Sequence, residues 1–167
     1  MNAKLILLSL LWIVSTRVYS VPLNIEADTA VLDQRKGTAE YRGHVRIEQG
    51  KLKIQAMIVR VLAENNQVQD IWLEGTPDDP FQFVDDSAVP PMRGSATKAH
   101  YRVKEQTMQL SGQARLEQGG QLLQGPTLDY DRKLGRLRAG HNPTNNPQTP
   151  SDRVKFIIKD GRIQGSP

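Results

Sequence analysis

Gly37-Thr-Ala-Glu-Tyr-Arg-Gly-His-Val-Arg-Ile-Glu-Gln-Gly50 returns 69 residues later as Gln106-Thr-Met-Gln-Leu-Ser-Gly-Gln-Ala-Arg-Leu-Glu-Gln-Gly119. Thr38 and Thr107, Gly43 and Gly112, Arg46 and Arg115, Glu48 and Glu117, and Gln49-Gly50 and Gln118-Gly119 are identical at matching positions. Where the copies differ, polarity is kept: Tyr41 matches Leu110, Val45 matches Ala114 and Ile47 matches Leu116. Each copy runs through apolar residues at every second position, reaches a Gly, and resumes the alternation until Gln-Gly. Period 2 interrupted by Gly predicts strand, turn, strand. A repeat of this length predicts units that cannot bury an apolar face alone and must stack.

Outward from the repeat, the rest of the chain has the same character. Leu23-Asn-Ile25 alternates, as do Ala30 and Leu32, and Gln34-Arg-Lys-Gly37 is a turn. Strands are predicted at 51–54, 57–62 and 68–73, with a tight turn at Ala63-Glu-Asn-Asn66. Gly75-Thr-Pro-Asp-Asp-Pro80 breaks the ladder, Phe81-Gln-Phe83 is a short strand, and Asp85 to Pro91 is a loop. After Gly94 the pattern repeats through Tyr101, Leu122-Leu123, Leu128-Tyr130 and Leu137, with a final strand at Val154 to Lys159. No apolar period of 3.6 persists for three turns, so the fold class is all-β. Strand parity gives an inward apolar set of Leu23, Ile25, Leu32, Tyr41, Val45, Ile47, Ile54, Phe83, Tyr101, Met108, Leu110 and Leu116. Arg46, Lys51, Lys53, Lys98, Arg102, Arg115, Arg136 and Arg138 point outward.

Lys4 followed by the apolar run Leu5 to Val14 and by Val18-Tyr19-Ser20 is the pattern of a secretory signal over residues 1–20. The run is too short for a spanning helix of about 20 apolar residues. Four segments are expected: the signal, a β domain over 21–139, a Pro- and Asn-rich connector over 140–152, and a C-terminal edge strand with its tail over 153–167. Without Lys4 and Arg17, the chain carries 20 basic and 18 acidic residues, too balanced for a nucleic-acid footprint. There is no cysteine, so thiolate chemistry and disulfide staples are excluded.

His44, His100 and His141 stand apart, at no metal-binding spacing. The pairs Asp78-Asp79 and Asp85-Asp86 could hold a cation or serve as acid and base, but Pro and Gly around them favour a solvated loop. The sequence has no nucleophile elbow, P-loop or dinucleotide fingerprint. Two other readings stay open at this point: a closed lipocalin-like carrier of a small lipid, and a glycan-active jellyroll hydrolase.

Leu23-Asn-Ile25-Glu-Ala-Asp28, Tyr41-Arg-Gly-His-Val-Arg-Ile-Glu-Gln-Gly50, Gly94-Ser-Ala-Thr-Lys-Ala-His-Tyr101 and Leu123-Gln-Gly-Pro-Thr-Leu-Asp-Tyr130, in this order and spacing, resemble the OstA-like family of periplasmic lipopolysaccharide-transport proteins of Gram-negative bacteria. The resemblance covers nearly the whole chain after the leader. It implies an open, twisted antiparallel β-jellyroll, V-shaped with an apolar interior, and a non-enzymatic role without a cofactor. It further implies that the inward set is lipid-binding, holding lipid A acyl chains. Implied partners are lipopolysaccharide, an LptC-like jellyroll of the inner-membrane complex, an LptD-like part of the outer-membrane translocon, and further copies joined head to tail through edge strands.

Overall fold

The computed structural model describes residues 22–65, 67–140 and 153–158, so the expected signal and all but the first residue of the connector lie outside the described residues. All regular structure among the described residues is β. The first repeat contributes β1 (Leu23–Glu26), β2 (Thr29–Asp33), β3 (Thr38–Gln49), β4 (Leu52–Glu64), β5 (Gln67–Glu74) and β6 (Phe81–Asp85). The second contributes β7 (Met92–Ala96), β8 (Lys98–Arg102), β9 (Thr107–Gln118), β10 (Gln121–Asp131), β11 (Arg136–Gly140) and β12 (Lys155–Ile158). β11 thus takes in Gly140, the first residue of the stretch expected to be connector.

The repeat governs the strand pairing as well as the sequence. β3 pairs β1, β2 and β4, and β4 also pairs β5 and β6; β9 pairs β7, β8 and β10, and β10 also pairs β11 and β12. Every ladder is antiparallel, and the two six-strand units meet through β5 with β8 and β6 with β7. Among the described residues the ends of this path do not pair with each other, so these twelve strands form an open sheet and not a closed barrel. β12 lies on β10 as β6 lies on β4, so the C-terminal strand extends its own sheet.

The predicted turn at Gly43 is not a turn. Thr38–Gln49 is one continuous strand of 12 residues, and Gly43-His44 forms a bulge where the register with β4 shifts between Arg42 and Val45. Gly112-Gln113 does the same in β9. Both bulge pairs have positive φ, 76° and 46° in the first and 75° and 52° in the second. A Cβ on Gly43 would sit 2.1 Å from the Asp28 carboxylate, and one on Gly112 2.7 Å from the Thr97 hydroxyl. Each glycine carbonyl accepts a backbone bond from that same neighbour, at 3.0 Å from Asp28 N and 2.8 Å from Thr97 N. Glycine is needed here for both its conformation and its lack of a side chain.

These bulges divide the sheet into two leaves. The first runs β2, β3, β4, β5, β8, β9, β10, β11 and the second β1, β3, β4, β6, β7, β9, β10, β12, so the four long strands pass through both. Val59, Leu73, Ala99, Leu110 and Leu128 of the first leaf and Val45, Ile47, Phe81, Phe83, Met92, Ala96, Ala114 and Leu116 of the second form one buried core. The leaves therefore face each other, and burying each of the larger side chains contributes about 1.5–3 kcal/mol.

Candidate functional site

The strand registers resolve the inner surface into rows that cross every strand of a leaf. In the first leaf, the row Ala30, Tyr41, Val59, Leu73, Ala99, Leu110, Leu128, Ala139 is apolar throughout. Two positions along each strand lies a second apolar row: Leu32, Ala39, Val61, Ile71, Tyr101, Met108, Tyr130, Leu137. In the second leaf, Ile25, Ile47, Ile54, Phe83, Gly94, Leu116, Leu123 and Phe156 form the matching row. A Cβ at Gly94 would stand 2.2 Å from the Phe83 ring, so the row keeps Phe83 inward only because position 94 has no side chain.

Burial grades across these rows. From Val59 to Leu128 the first row is fully buried, whereas in the row of Leu32 every residue is half-buried or exposed. The leaves are thus closed near the bulges and part toward the row of Leu32. That row is an apolar strip of eight strands, roughly 34 Å long at a strand spacing near 4.8 Å. It carries no charge and remains within reach of a guest. The opposite lip, Leu23, Gln49, Leu52, Asp85, Met92, Gln118, Gln121 and Ile158, mixes apolar residues with amides and one carboxylate.

All twelve residues of the inward set lie on inner rows. Val45, Ile47, Phe83, Leu110 and Leu116 are buried, and Ile25, Tyr41, Ile54, Tyr101 and Met108 are half-buried. Leu23 and Leu32 face inward but are 55% and 63% exposed, because among the described residues β1 and β2 have no neighbour on their outer side. Ala39, Val61, Ile71, Tyr130 and Leu137 complete the accessible strip and were not in that set. On β4 the inward positions change phase, from Ile54 and Ala56 to Val59 and Val61, and β10 does the same between Leu123 and Leu128. The bulge opposite Met57 causes the change, and its signal in the sequence was the Gly43-His44 pair.

The outer face is polar and partly ion-paired. Arg60 donates Nε to Glu40 at 2.7 Å and Nη1 to Glu74, and Arg42 also donates to Glu40. Hydrogen bonds from Arg42 and then Arg60 hold the Glu40 carboxyl below its ordinary value. His100 stacks on Trp72 with ring centroids 4.9 Å apart and meets Asp70 at 2.6 Å, clasping β5 to β8. His44 meets Asp28 at 2.8 Å beside the first bulge.

The acidic pairs weighed for catalysis sit in the bend before β6 and at the turn that ends it. Asp79 N bonds the Thr76 hydroxyl at 2.9 Å. Asp85 accepts the amide of Ser87 at 2.9 Å and that of Ala88 at 3.3 Å. Burial works against its charge, but bonds from the Ser87 hydroxyl and these amides outweigh burial and keep the carboxyl below its ordinary value. Asp85 is thus held as a charged turn acceptor, the opposite of a general acid. Among the described residues no three His, Asp or Glu side chains converge as metal ligands.

Residues 24–136 match the family described as "LptA/(LptD N-terminal domain) LPS transport protein". The chain is 30% identical to the lipopolysaccharide export system protein LptA of Haemophilus influenzae over 124 residues, covering 72% of this chain and 71% of that protein. It is 26% identical to LptH of Pseudomonas aeruginosa over 144 residues, covering 83% and 79% respectively. The crystal structure of that LptH, the LptA homologous periplasmic component of a lipopolysaccharide transport device, superposes with a TM-score of 0.71 at 25% identity, covering 83% of this chain and 96% of the other.

Proposed function

The chain belongs to the LptA/LptD N-terminal-domain family of lipopolysaccharide transport proteins, and from that premise we propose that it shields lipid A acyl chains along the inner apolar strip while lipopolysaccharide crosses the periplasm. Its role is lipopolysaccharide transport and is not enzymatic. The observation that carries the acyl-chain reading is the unbroken row Leu32, Ala39, Val61, Ile71, Tyr101, Met108, Tyr130, Leu137, apolar over eight strands and accessible throughout. Flexible Met108 and the broad faces of Tyr101 and Tyr130 suit chains of varied shape. Residues 1–20 act as the export signal, and 21–139 as the carrier domain.

The same reading takes the open ends as joints. Among the described residues, β1 and β2 at one end and β11 and β12 at the other each leave a ladder edge without a strand partner. Leu23, Val31, Leu32, Leu137, Phe156 and Ile157 on these strands are exposed apolar residues. An unpaired apolar edge accepts a further strand. Joining the last edge of one copy to the first edge of the next is heterologous and does not close, so it extends as a row of strips. The same ends serve the jellyrolls of the inner-membrane and outer-membrane complexes, which bridges the two membranes.

Photo-crosslinking from neighbouring positions on one strand tests the strip. A crosslinking residue at Leu32, Tyr101 or Met108 is expected to capture lipopolysaccharide, and one at Val31, His100 or Arg102 to leave it unlabelled. Equal capture from both sets overturns the assignment.

A further inference from the structure

The internal seam supplies a register for any joint between copies. β11 lies on β10 as β5 lies on β4, which makes Arg136 to Gly140 the counterparts of Asp70 to Glu74. β12 and β6 correspond likewise, with Lys155 to Ile158 matching Gln82 to Asp85. On the other side β2 corresponds to β8, Thr29 to Asp33 matching Lys98 to Arg102, and β1 corresponds to β7, Leu23 to Glu26 matching Met92 to Ser95. A copy seated on the end of another in this register sets Leu137 opposite Leu32, Ala139 opposite Ala30 and Phe156 opposite Ile25. All three inner rows then continue across the joint.

The charges on these strands run in opposite senses. At the internal seam the acids sit on the earlier unit and the bases on the later one: Asp70 is opposite Arg102 and Glu74 opposite Lys98, with Asp85 and Arg93 adding to the same sense. At the free ends the order is reversed. The last edge carries Arg136, Arg138 and Lys155, and the first edge carries Glu26 and Asp33. In the projected joint Arg136 comes opposite Asp33 and Lys155 opposite Glu26. Among the described residues Arg136, Arg138, Lys155 and Glu26 form no ion pair, while Asp33 caps its own turn and meets Lys36 at 3.5 Å.

Resting on the end-to-end reading above, we infer that this reversal is a charge code which selects the end of a second copy and rejects the chain's own interior edges. The backbone alone cannot make that choice, because β8 with β7 and β2 with β1 present the same ladder. Charge can. If β11 and β12 took the interior edge, Arg136 would face Arg102; if β2 and β1 took the interior edge, Asp33 would face Asp70. Like charges placed directly across a ladder destabilise it, so each wrong pairing is opposed and each right one favoured. The hazard is real during folding, when the seam has not yet formed and two chains can exchange units.

The chain has no cysteine, so single cysteines report which edges meet. Gly140 has open space around its Cβ position, and Thr29 is its partner across the projected joint, as Lys98 is across the wrong one. Chains carrying Gly140→Cys are refolded from denaturant with equal amounts of Thr29→Cys or Lys98→Cys chains and then oxidised. The expected result is a disulfide dimer with Thr29→Cys and none above background with Lys98→Cys. Reversing the end charges with Glu26→Lys, Asp33→Arg, Arg136→Asp, Arg138→Glu and Lys155→Glu keeps the end-to-end pairing complementary. It is expected to raise the Lys98→Cys dimer roughly tenfold. Since five changes together can impair folding, the exposed single change Arg136→Asp is run beside it, with a smaller rise expected. Loss of the Thr29→Cys dimer in the unreversed chain refutes the end-to-end reading itself. A Lys98→Cys dimer already abundant in the unreversed chain, or no rise in either charge variant, refutes the code while leaving that reading standing.

Discussion

The two repeats share a backbone and differ in nearly everything that faces water. Gly43 and Gly112 occupy the same bulge, Gly50 and Gly119 the same positive-φ turn, and Ile47 and Leu116 the same buried place. Outside, Arg60 gathers Glu40 and Glu74 in the first repeat, while the counterparts Gln109 and Asp129 make a plain hydrogen bond at 2.9 Å in the second. Asp28 grips His44 at one bulge; Thr97 and Gln113 stand at the other. The interior and the bulges specify the fold, and the outer face is free to diverge because exposed pairs contribute little to stability.

The largest expected contrast lies in the last short strand of each repeat. Phe81 is fully buried, whereas Val154, which precedes β12 as Phe81 precedes Gln82, is 42% exposed. Phe81→Ala is expected to cost about 3–5 kcal/mol in urea unfolding, from lost burial and the cavity left behind. Val154→Ala is expected to cost under about 0.5 kcal/mol. Similar losses at both sites mean that the second repeat's end is as closed as the seam, and the comparison breaks.

The bulges come next. Gly43→Ala and Gly112→Ala both place a Cβ at positive φ and against a side chain, with an expected loss of about 1–3 kcal/mol each. The first is expected to lose more, since the new methyl displaces Asp28 from His44. Equal midpoints for the two variants remove that distinction.

The smallest effect is electrostatic. Because the folded Glu40 carboxyl is held below its ordinary value, its contribution to stability is present above the unfolded value and is lost as the pH falls through the folded one. Glu40→Gln is therefore expected to lower the urea midpoint slightly near pH 7 and to match the unaltered chain once the carboxylates are protonated. Gln109→Ala, its counterpart, is expected to show no such dependence. A difference for Glu40→Gln that persists at low pH assigns its effect to packing instead.

The repeat, the all-β character and the face of each of the twelve inward residues were legible in the sequence, because alternation along a strand survives any later bending of the sheet. Two things were not. A glycine that ends a strand and one that bulges it look alike, since both demand positive φ, and only the unbroken β3–β4 register separates them. Exposure was hidden too: Leu32 and Leu110 read alike in parity, yet one lies on an edge strand and the other beneath a complete leaf. Val61 and Tyr130 escaped notice because the phase change on β4 and β10 moves the inward set by one residue, which simple alternation cannot anticipate.

Finally, among the described residues each strand pairs only within its own unit or with the unit beside it; none in the first third of the chain reaches the last. Such a fold prescribes a cross-section and leaves length undetermined. Stability then accumulates unit by unit, as in stacked repeats, and a duplicated or deleted unit leaves every remaining neighbour correctly matched. Evolution can lengthen or shorten a molecule of this design by whole modules, with no closing strand to refit.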